Sequence, residues 1–353
     1  MAAYATCKFP LVDKWKEAAD NNNGLGFIDS LLSGYGQIAF CDNPVTGILF
    51  IMGCFYGSVQ HGVSSLVAAI VATLVAYIIG VPRLSIRLGL YTFNAALAGL
   101  GIALFVFPGQ GITWQLLLYS SIGGVLCVFL TAGFAGFLSK FNVPALALPY
   151  CVVLLILIPA SLRLNNLSVT TSVLPYLTEM SSSHHVTWTV GEFFTAVFNN
   201  FAEVLWQANV VTGVFFLLGV LASSRIDGLS AIIASVASTM FAIFLELPKD
   251  GILIGLYGYN ALLLMMVLFG RGYAMSIKSF FFSIVLALFT VIAVAWMATI
   301  FAPPGAPVAA FPYVLMAIFA LAGRDAFKGL IFIEPLKWGV PETIAAELKK
   351  QAC

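Results

Sequence analysis

The chain has 353 residues, 61% of them apolar and only 9% charged, with a formal net charge of +1 and a mean hydropathy of +1.02. Soluble domains carry about 25% charged residues, so sixteen Lys and Arg with fifteen Asp and Glu are too few to cover a water-soluble globule of this length. The apolar excess also excludes a disordered chain, and the near-neutral balance offers no basic footprint for nucleic acid. What remains is an all-α polytopic membrane protein whose solvent is the lipid bilayer.

Residues 1–30 are polar, with Lys8, Asp13, Lys14, Lys16, Glu17 and Asp20, the wrong composition for a cleaved export signal. A bilayer-crossing helix needs about 20 apolar residues. Ten apolar stretches follow, several of them short, near 45–60, 62–81, 88–107, 113–138, 142–162, 210–224, 228–245, 252–270, 277–301 and 306–323. Between the fifth and sixth, residues 163–209 form a long polar interval with Asn165, Asn166, Glu179, His184, His185 and Glu192. We expect a solvated loop there, and no metal site at the histidine pair. When loops are assigned alternately to two sides, Arg163 and Lys249 alone fall opposite the N-terminus, which leaves fourteen of the sixteen Lys and Arg on the N-terminal side. Cytoplasmic loops carry the Lys/Arg excess, so both termini are expected in the cytoplasm, with the chain integral to the cell (inner) membrane. The six cysteines have no CxxC or metal-ligand spacing and are read as small hydrophobes. No metal and no cofactor is expected.

The chain also matches itself at an offset of 166. Asn43 meets Asn209, Thr46 meets Thr212, Gly47 meets Gly213 and Pro82 meets Pro248, and the segment 89–95 meets 255–261. At an offset of 163, Pro144 to Tyr150 meets Pro307 to Tyr313. Each half holds five spans, and an odd number makes the second half enter from the other face, so the repeats are inverted. Solute sites in such folds lie near the midplane at the repeat interface. The expected domains are 1–30 (cytoplasmic segment), 31–165 (first repeat), 166–190 (extracytoplasmic linker), 191–325 (second repeat) and 326–353 (cytoplasmic tail).

Each repeat opens with a stretch too short and too polar to span, 34–47 and 200–213. These read as two re-entrant half-helices, since irregular backbone at membrane depth is tolerated where it lines a cavity. Gln37 and Glu203 are equivalent positions in them, and polar groups in the membrane default to functional hypotheses. Otherwise the spans are almost free of charge, with no Asp/Glu/His relay and no Arg ladder, which argues for a neutral solute and a passive pore over a proton-coupled pump or charged-ring ion channel. Phe40 and Trp206 are equivalent, as are Phe93 and Tyr259. Leu97 and Leu263 follow one helical turn later on the same face, so opposed rings and leucines could frame a flat apolar slot. No nucleophile with a base appears within the spans, so the chain is not expected to be an enzyme.

At these residues the sequence resembles the urea transporter family. The resemblance rests on Gly-x-Gly-Gln-Ile-x-Phe-x-Asp-Asn-Pro-x-Thr-Gly over 34–47, on the paired Gly-Leu-Tyr-x-aromatic-Asn motifs at 89–94 and 255–260, and on Pro-Tyr at 149–150 and 312–313. It implies a homotrimer in which each protomer holds its own pore, and facilitated diffusion of dehydrated urea in single file. Carried over, Gln37, Phe40, Glu203 and Val204 belong to an outer binding region, and Phe93, Leu97, Tyr259 and Leu263 to the inner slot. The family commonly has threonine two residues before the Pro of each Pro-aromatic motif; here both positions are alanine, Ala147 and Ala310, which leaves the constriction less polar. Asp42 and Val210 replace residues that are more often Asn and Pro. The alternatives are a channel for another small neutral solute (a short amide or ammonia) and a gradient-coupled secondary transporter.

Overall fold

The computed structural model describes residues 10–165, 167 and 187–352. Cys7, Lys8, Asn166, Glu179, His184, His185 and Cys353 lie outside them. Among the described residues the chain forms sixteen α-helices. They are α1 (Pro10–Asn21), α2 (Asn23–Gln37), α3 (Pro44–Gly57), α4 (Val59–Ile78), α5 (Arg83–Arg87), α6 (Phe93–Phe105), α7 (Trp114–Leu138), α8 (Leu148–Ser161), α9 (Val190–Glu203), α10 (Val210–Ser223), α11 (Arg225–Phe244), α12 (Lys249–Leu253), α13 (Tyr259–Leu268), α14 (Ile277–Phe301), α15 (Phe311–Ala322) and α16 (Pro341–Ala352). The extended pairing among these residues is limited to isolated bridges through Tyr273.

Four helices, α4, α7, α11 and α14, are long and apolar enough to cross a bilayer by length and composition, and α3, α6, α8, α10, α13 and α15 are shorter apolar helices. The long ones turn large apolar side chains outward, among them Phe129, Phe137, Phe281, Phe289 and Trp296, and small ones inward. With no water nearby, inward hydroxyls find protein partners. Ser64 Oγ, for instance, lies 2.6 Å from Gly99 O and 2.7 Å from Ser120 Oγ.

Each of the ten expected stretches contains a helix, but four are interrupted. In 88–107 and 252–270 the chain turns at Gly89 (φ 71) and Gly255 (φ 90) before α6 and α13 begin. In 142–162 and 306–323 it passes through the left-handed region at Leu146 (φ 48) and Ala309 (φ 47) before α8 and α15. Pro149 and Pro312 sit in the first turn of those helices, where proline is favoured, and would break a helix continued through them.

The boundaries recur as the sequence does. α3, α4 and α5 match α10, α11 and α12 end to end at 166, and α7 matches α14 at 163. The contact between α3 and α10 is reciprocal: Thr46 Oγ1 donates to Gly219 O at 2.7 Å, and Thr212 Oγ1 donates to Gly53 O at 3.0 Å. Between them Phe50 stacks on Phe216, centroids 4.3 Å apart and planes 6° apart. α3 and α10 therefore run antiparallel about a local two-fold.

Two equivalent glycines seat α2 on α3 and α9 on α10. A Cβ on Gly47 would lie 2.0 Å from Leu32 O, and one on Gly213 2.1 Å from Phe198 O. Gly47→Ala or Gly213→Ala must therefore push a half-helix off its neighbour. Each is expected to lower the thermal unfolding midpoint in detergent by several degrees. Gly133→Ala, in α7 with nothing within 4 Å, is expected to leave it equal or raise it, since Ala is better than Gly in a helix by about 1 kcal/mol.

Candidate functional site

Both α2 and α9 end in the same way. Cys41 N bonds Gly36 O at 3.1 Å and Gln207 N bonds Ala202 O at 3.2 Å, across a left-handed residue. That residue is usually glycine; here it is Phe40 (φ 59) and Trp206 (φ 54). The left-handed backbone costs an ordinary residue about 1–2 kcal/mol, and it fixes one aromatic ring beyond each half-helix end. Gln37 is half-buried, whereas Glu203 and Val204 are buried.

The two ends do not lie together. Asn43, just beyond Phe40, caps α3 by accepting from Val45 N at 2.9 Å and reaches Ala222 O near the end of α10. Asn209, just beyond Trp206, caps α10, and Gln207 lies against Gly57 at the end of α3. Because α3 and α10 are antiparallel, Phe40 and Trp206 sit at opposite ends of that pair. Phe40 meets Tyr313 edge-on at 6.4 Å, and Trp206 meets Phe105 edge-on at 5.1 Å. Beyond Trp206, Gln207 Nε2 lies 3.0 Å from His61 Nδ1.

α6 and α13 lie between these ends, and their accessibility is selective. Along α6, Ala95, Ala96, Ala98, Leu100 and Ile102 are sealed at 0%, while Phe93 keeps 8% and Leu97 4%. Along α13, every residue from Asn260 to Leu268 other than Leu263 is at 0%; Tyr259 keeps 2% and Leu263 4%. Over 93–103 of α6 and along α13 the residual surface falls at positions i and i+4, which share one face; Leu104 and Phe105, at the end of α6, are half-buried.

α8 and α15 begin among buried groups, and the first N–H groups of a helix have no partner within it. Their N-caps, Ala147 and Ala310, are buried and carry no side-chain cap. Asn94 Oδ1 of α6 accepts from Tyr150 N at 3.2 Å, and Asn260 Oδ1 of α13 accepts from Tyr313 N at 3.1 Å. The Asn of one paired motif thus caps the Pro-Tyr helix of the other. Among the described residues no group of three His, Cys, Asp or Glu is placed to hold a metal.

Residues 28–325 match the urea transporter family profile. The chain belongs to the urea transporter family. It is 27% identical over 305 residues to urea transporter 1 of Ovis aries and to that of Capra hircus, covering 86% of this chain and 78% of each relative. It is 27% identical over 300 residues to urea transporter 1 of Mus musculus, covering 84% and 77%.

One buried ion pair has no signal in the sequence. Arg271, counted only among the loop cations, and Asp227 are buried against each other, Nη1 to Oδ1 at 2.5 Å and Nη2 to Oδ2 at 2.6 Å. Arg271 Nη2 also donates to Phe40 O at 3.3 Å, and its guanidinium carbon stands 5.8 Å from the Phe40 ring centroid. From α16, Glu342 accepts from Ser224 Oγ and Ile226 N at the start of α11. Removing one partner of a buried ion pair costs about 3–5 kcal/mol, whereas replacing both with apolar residues is often tolerated. Arg271→Met is therefore expected to lose folded yield and melting temperature sharply, and Arg271→Met with Asp227→Leu to recover most of the loss. Both are read by size-exclusion chromatography and thermal unfolding in detergent.

Proposed function

We propose that this chain is a passive urea channel. It has ten spans, four of them broken, and two re-entrant half-helices, α2 and α9, arranged as inverted halves over 31–165 and 191–325. Segments 1–30 and 326–353 are cytoplasmic, 166–190 is an extracytoplasmic linker, and the protein works in the cell (inner) membrane as a homotrimer with one pore per protomer. Family membership and the named activity of its relatives support urea as the solute. The recurrence of boundaries at 166 and 163 and the reciprocal α3–α10 contact support the inverted halves.

The observation that carries the reading is the pair of accessible stripes, Phe93 with Leu97 and Tyr259 with Leu263, on the otherwise sealed stretches 93–103 and 259–268. Urea is flat and neutral, with four N–H bonds and one carbonyl. Aromatic and leucine faces receive a flat solute without rearranging. Stripping its water leaves N–H groups that need acceptors, and each one left unpaired costs about 1–3 kcal/mol. Gln37, Glu203 and the carbonyls at the ends of α2 and α9 supply acceptors, since each carbonyl oxygen has two lone pairs. The charge of Arg271 is matched by Asp227, which leaves little to hold a dehydrated ion. A second reading, a channel for a short amide or ammonia, is favoured by the hydroxyl-free N-caps Ala147 and Ala310.

In proteoliposomes followed by stopped-flow light scattering, urea is expected to equilibrate without a proton or sodium gradient. Strict dependence on a gradient would replace the passive reading with a coupled one. Flux of acetamide or ammonia without urea would select the second reading. In the same assay Glu203→Gln is expected to keep most of the urea flux and Glu203→Leu to lose about tenfold, the kinetic equivalent of ~1.4 kcal/mol for one unpaired N–H. Equal flux in the two variants would remove Glu203 from the pathway.

A further inference from the structure

The helices with the accessible stripes begin with different rings, Phe93 in α6 and Tyr259 in α13, and the extra hydroxyl changes the bonding around it. In the first half, Asn94 is used at both ends of its carboxamide: Oδ1 accepts from Tyr150 N at 3.2 Å and Nδ2 donates to Leu146 O at 3.3 Å. Leu146 is the left-handed residue that precedes the N-cap Ala147. In the second half the equivalent residues are Asn260, Tyr313, Ala309 and Ala310. Asn260 Oδ1 accepts from Tyr313 N at 3.1 Å, which fixes which end of the carboxamide is the oxygen. Ala309 O, however, accepts from the Tyr259 hydroxyl. Asn260 Nδ2, in a residue with no exposed surface, loses that carbonyl and faces the Tyr259 hydroxyl instead.

The hydroxyl takes the carbonyl that the asparagine uses in the other half, which adds no hydrogen bond to the fold. Its position does offer a use. Tyr259 is one of the two residues of α13 with any accessible surface. Its proton is committed to Ala309 O, and with Asn260 on one side the phenolic oxygen keeps one further lone pair as an acceptor. The N-caps at the start of α8 and α15, where Ser, Thr, Asn or Asp are the ordinary choices, are both alanine and supply no hydroxyl of their own. Ala310 is one peptide from the carbonyl that Tyr259 holds.

We propose that Tyr259 Oη is a specificity-determining acceptor for a solute N–H in the narrow middle of the slot, and that it supplies from α13 the hydroxyl that position 310 lacks. The inference rests on the urea channel reading and extends it. With its carbonyl along the slot axis urea presents an N–H to both edges, whereas acetamide in that orientation presents its methyl group to one of them, so the hydroxyl favours urea over acetamide.

The test compares urea and acetamide permeabilities in proteoliposomes for wild type, Tyr259→Phe, Tyr259→Phe with Ala310→Thr, and Phe93→Tyr, each at equal reconstituted protein and with its melting temperature in detergent. Tyr259→Phe is expected to lose about tenfold in urea permeability, equivalent to ~1.4 kcal/mol, and to lose less for acetamide. It should melt no lower than wild type, because Asn260 Nδ2 regains Ala309 O. Adding Ala310→Thr should restore the urea permeability. Phe93→Tyr makes the converse change and decides the matter if Tyr259→Phe does not assemble: the urea-to-acetamide ratio should rise while the melting temperature falls, as Asn94 loses Leu146 O. The inference is overturned by an unchanged ratio in Tyr259→Phe, or by an urea loss that threonine at 310 does not recover. It is equally overturned by an unchanged ratio in Phe93→Tyr when that variant must decide. If wild type passes urea and these results follow, this inference alone fails; a wild type that passes no urea removes the channel reading and this inference together.

Discussion

A helix that begins inside an apolar layer starts with N–H donors that no water can satisfy. α8 and α15 begin in that way, and much of the architecture follows from how they are capped. Their proline in the first turn removes one donor each, and Asn94 and Asn260 take a further one. Each asparagine directly follows Phe93 or Tyr259 in the chain, so the bond that caps one helix also fixes where the neighbouring ring stands. The accessible stripes are in this sense a consequence of satisfying backbone polarity in the interior: α6 is locked to α8 and α13 to α15, and the face left over is the one that carries Phe93 and Leu97, or Tyr259 and Leu263.

The same economy appears where the backbone turns left-handed. Phe40, Trp206, Leu146 and Ala309 hold left-handed backbone in equivalent pairs, at about 1–2 kcal/mol each. Strain of this kind persists where the surroundings over-determine it. Phe40 is held by Arg271 at its carbonyl, by Tyr313 at its ring edge and by the capped start of α3. Trp206 is held by Phe105 and the capped start of α10. Arg271 and Phe105 are equivalent positions, so one end closes on an ion pair and the other on an aromatic edge. The two ends are related in backbone and different in electrostatics.

Much of this could be read from residue types alone. Ten apolar stretches, the fixed offsets, the polar half-helices and the aromatic–leucine pairs were all visible, because each is a local pattern or a repetition of one. The helix breaks were hidden from hydropathy, since the residues on both sides are equally apolar; Gly89, Gly255, Pro149 and Pro312 were their signals, read only as matching residues. The pairing of Arg271 with Asp227 had no local signal at all. The two are 44 residues apart, each at the edge of an apolar stretch, where a charge reads as solvated. The capping of one motif by the other was missed for a similar reason: Asn94 and Tyr150 were each singled out, but a side-chain oxygen meeting a backbone N–H 56 residues away leaves no trace in spacing.

The halves also differ in ways that separate packing from function. Where Gly34 faces Thr92 in the first half, Asn200 faces Gly258 in the second, so a small residue against a large one is exchanged for a large one against a small one. Asn200 Nδ2 then bonds Ser235 Oγ and Thr239 Oγ1 at 2.9 Å each. Arg271 in place of Phe105 is matched by Asp227 in place of His61, so the new charge has its partner. These exchanges are closed locally: each change is answered by a second one in contact with it. The exchange of Phe93 for Tyr259 is different. The new hydroxyl takes the one carbonyl that its counterpart asparagine uses, and the Asn260 amide is left facing that hydroxyl. The new hydroxyl stands on the one face of α13 that retains accessible surface, so this exchange, unlike the others, is not closed by a second substitution in contact with it.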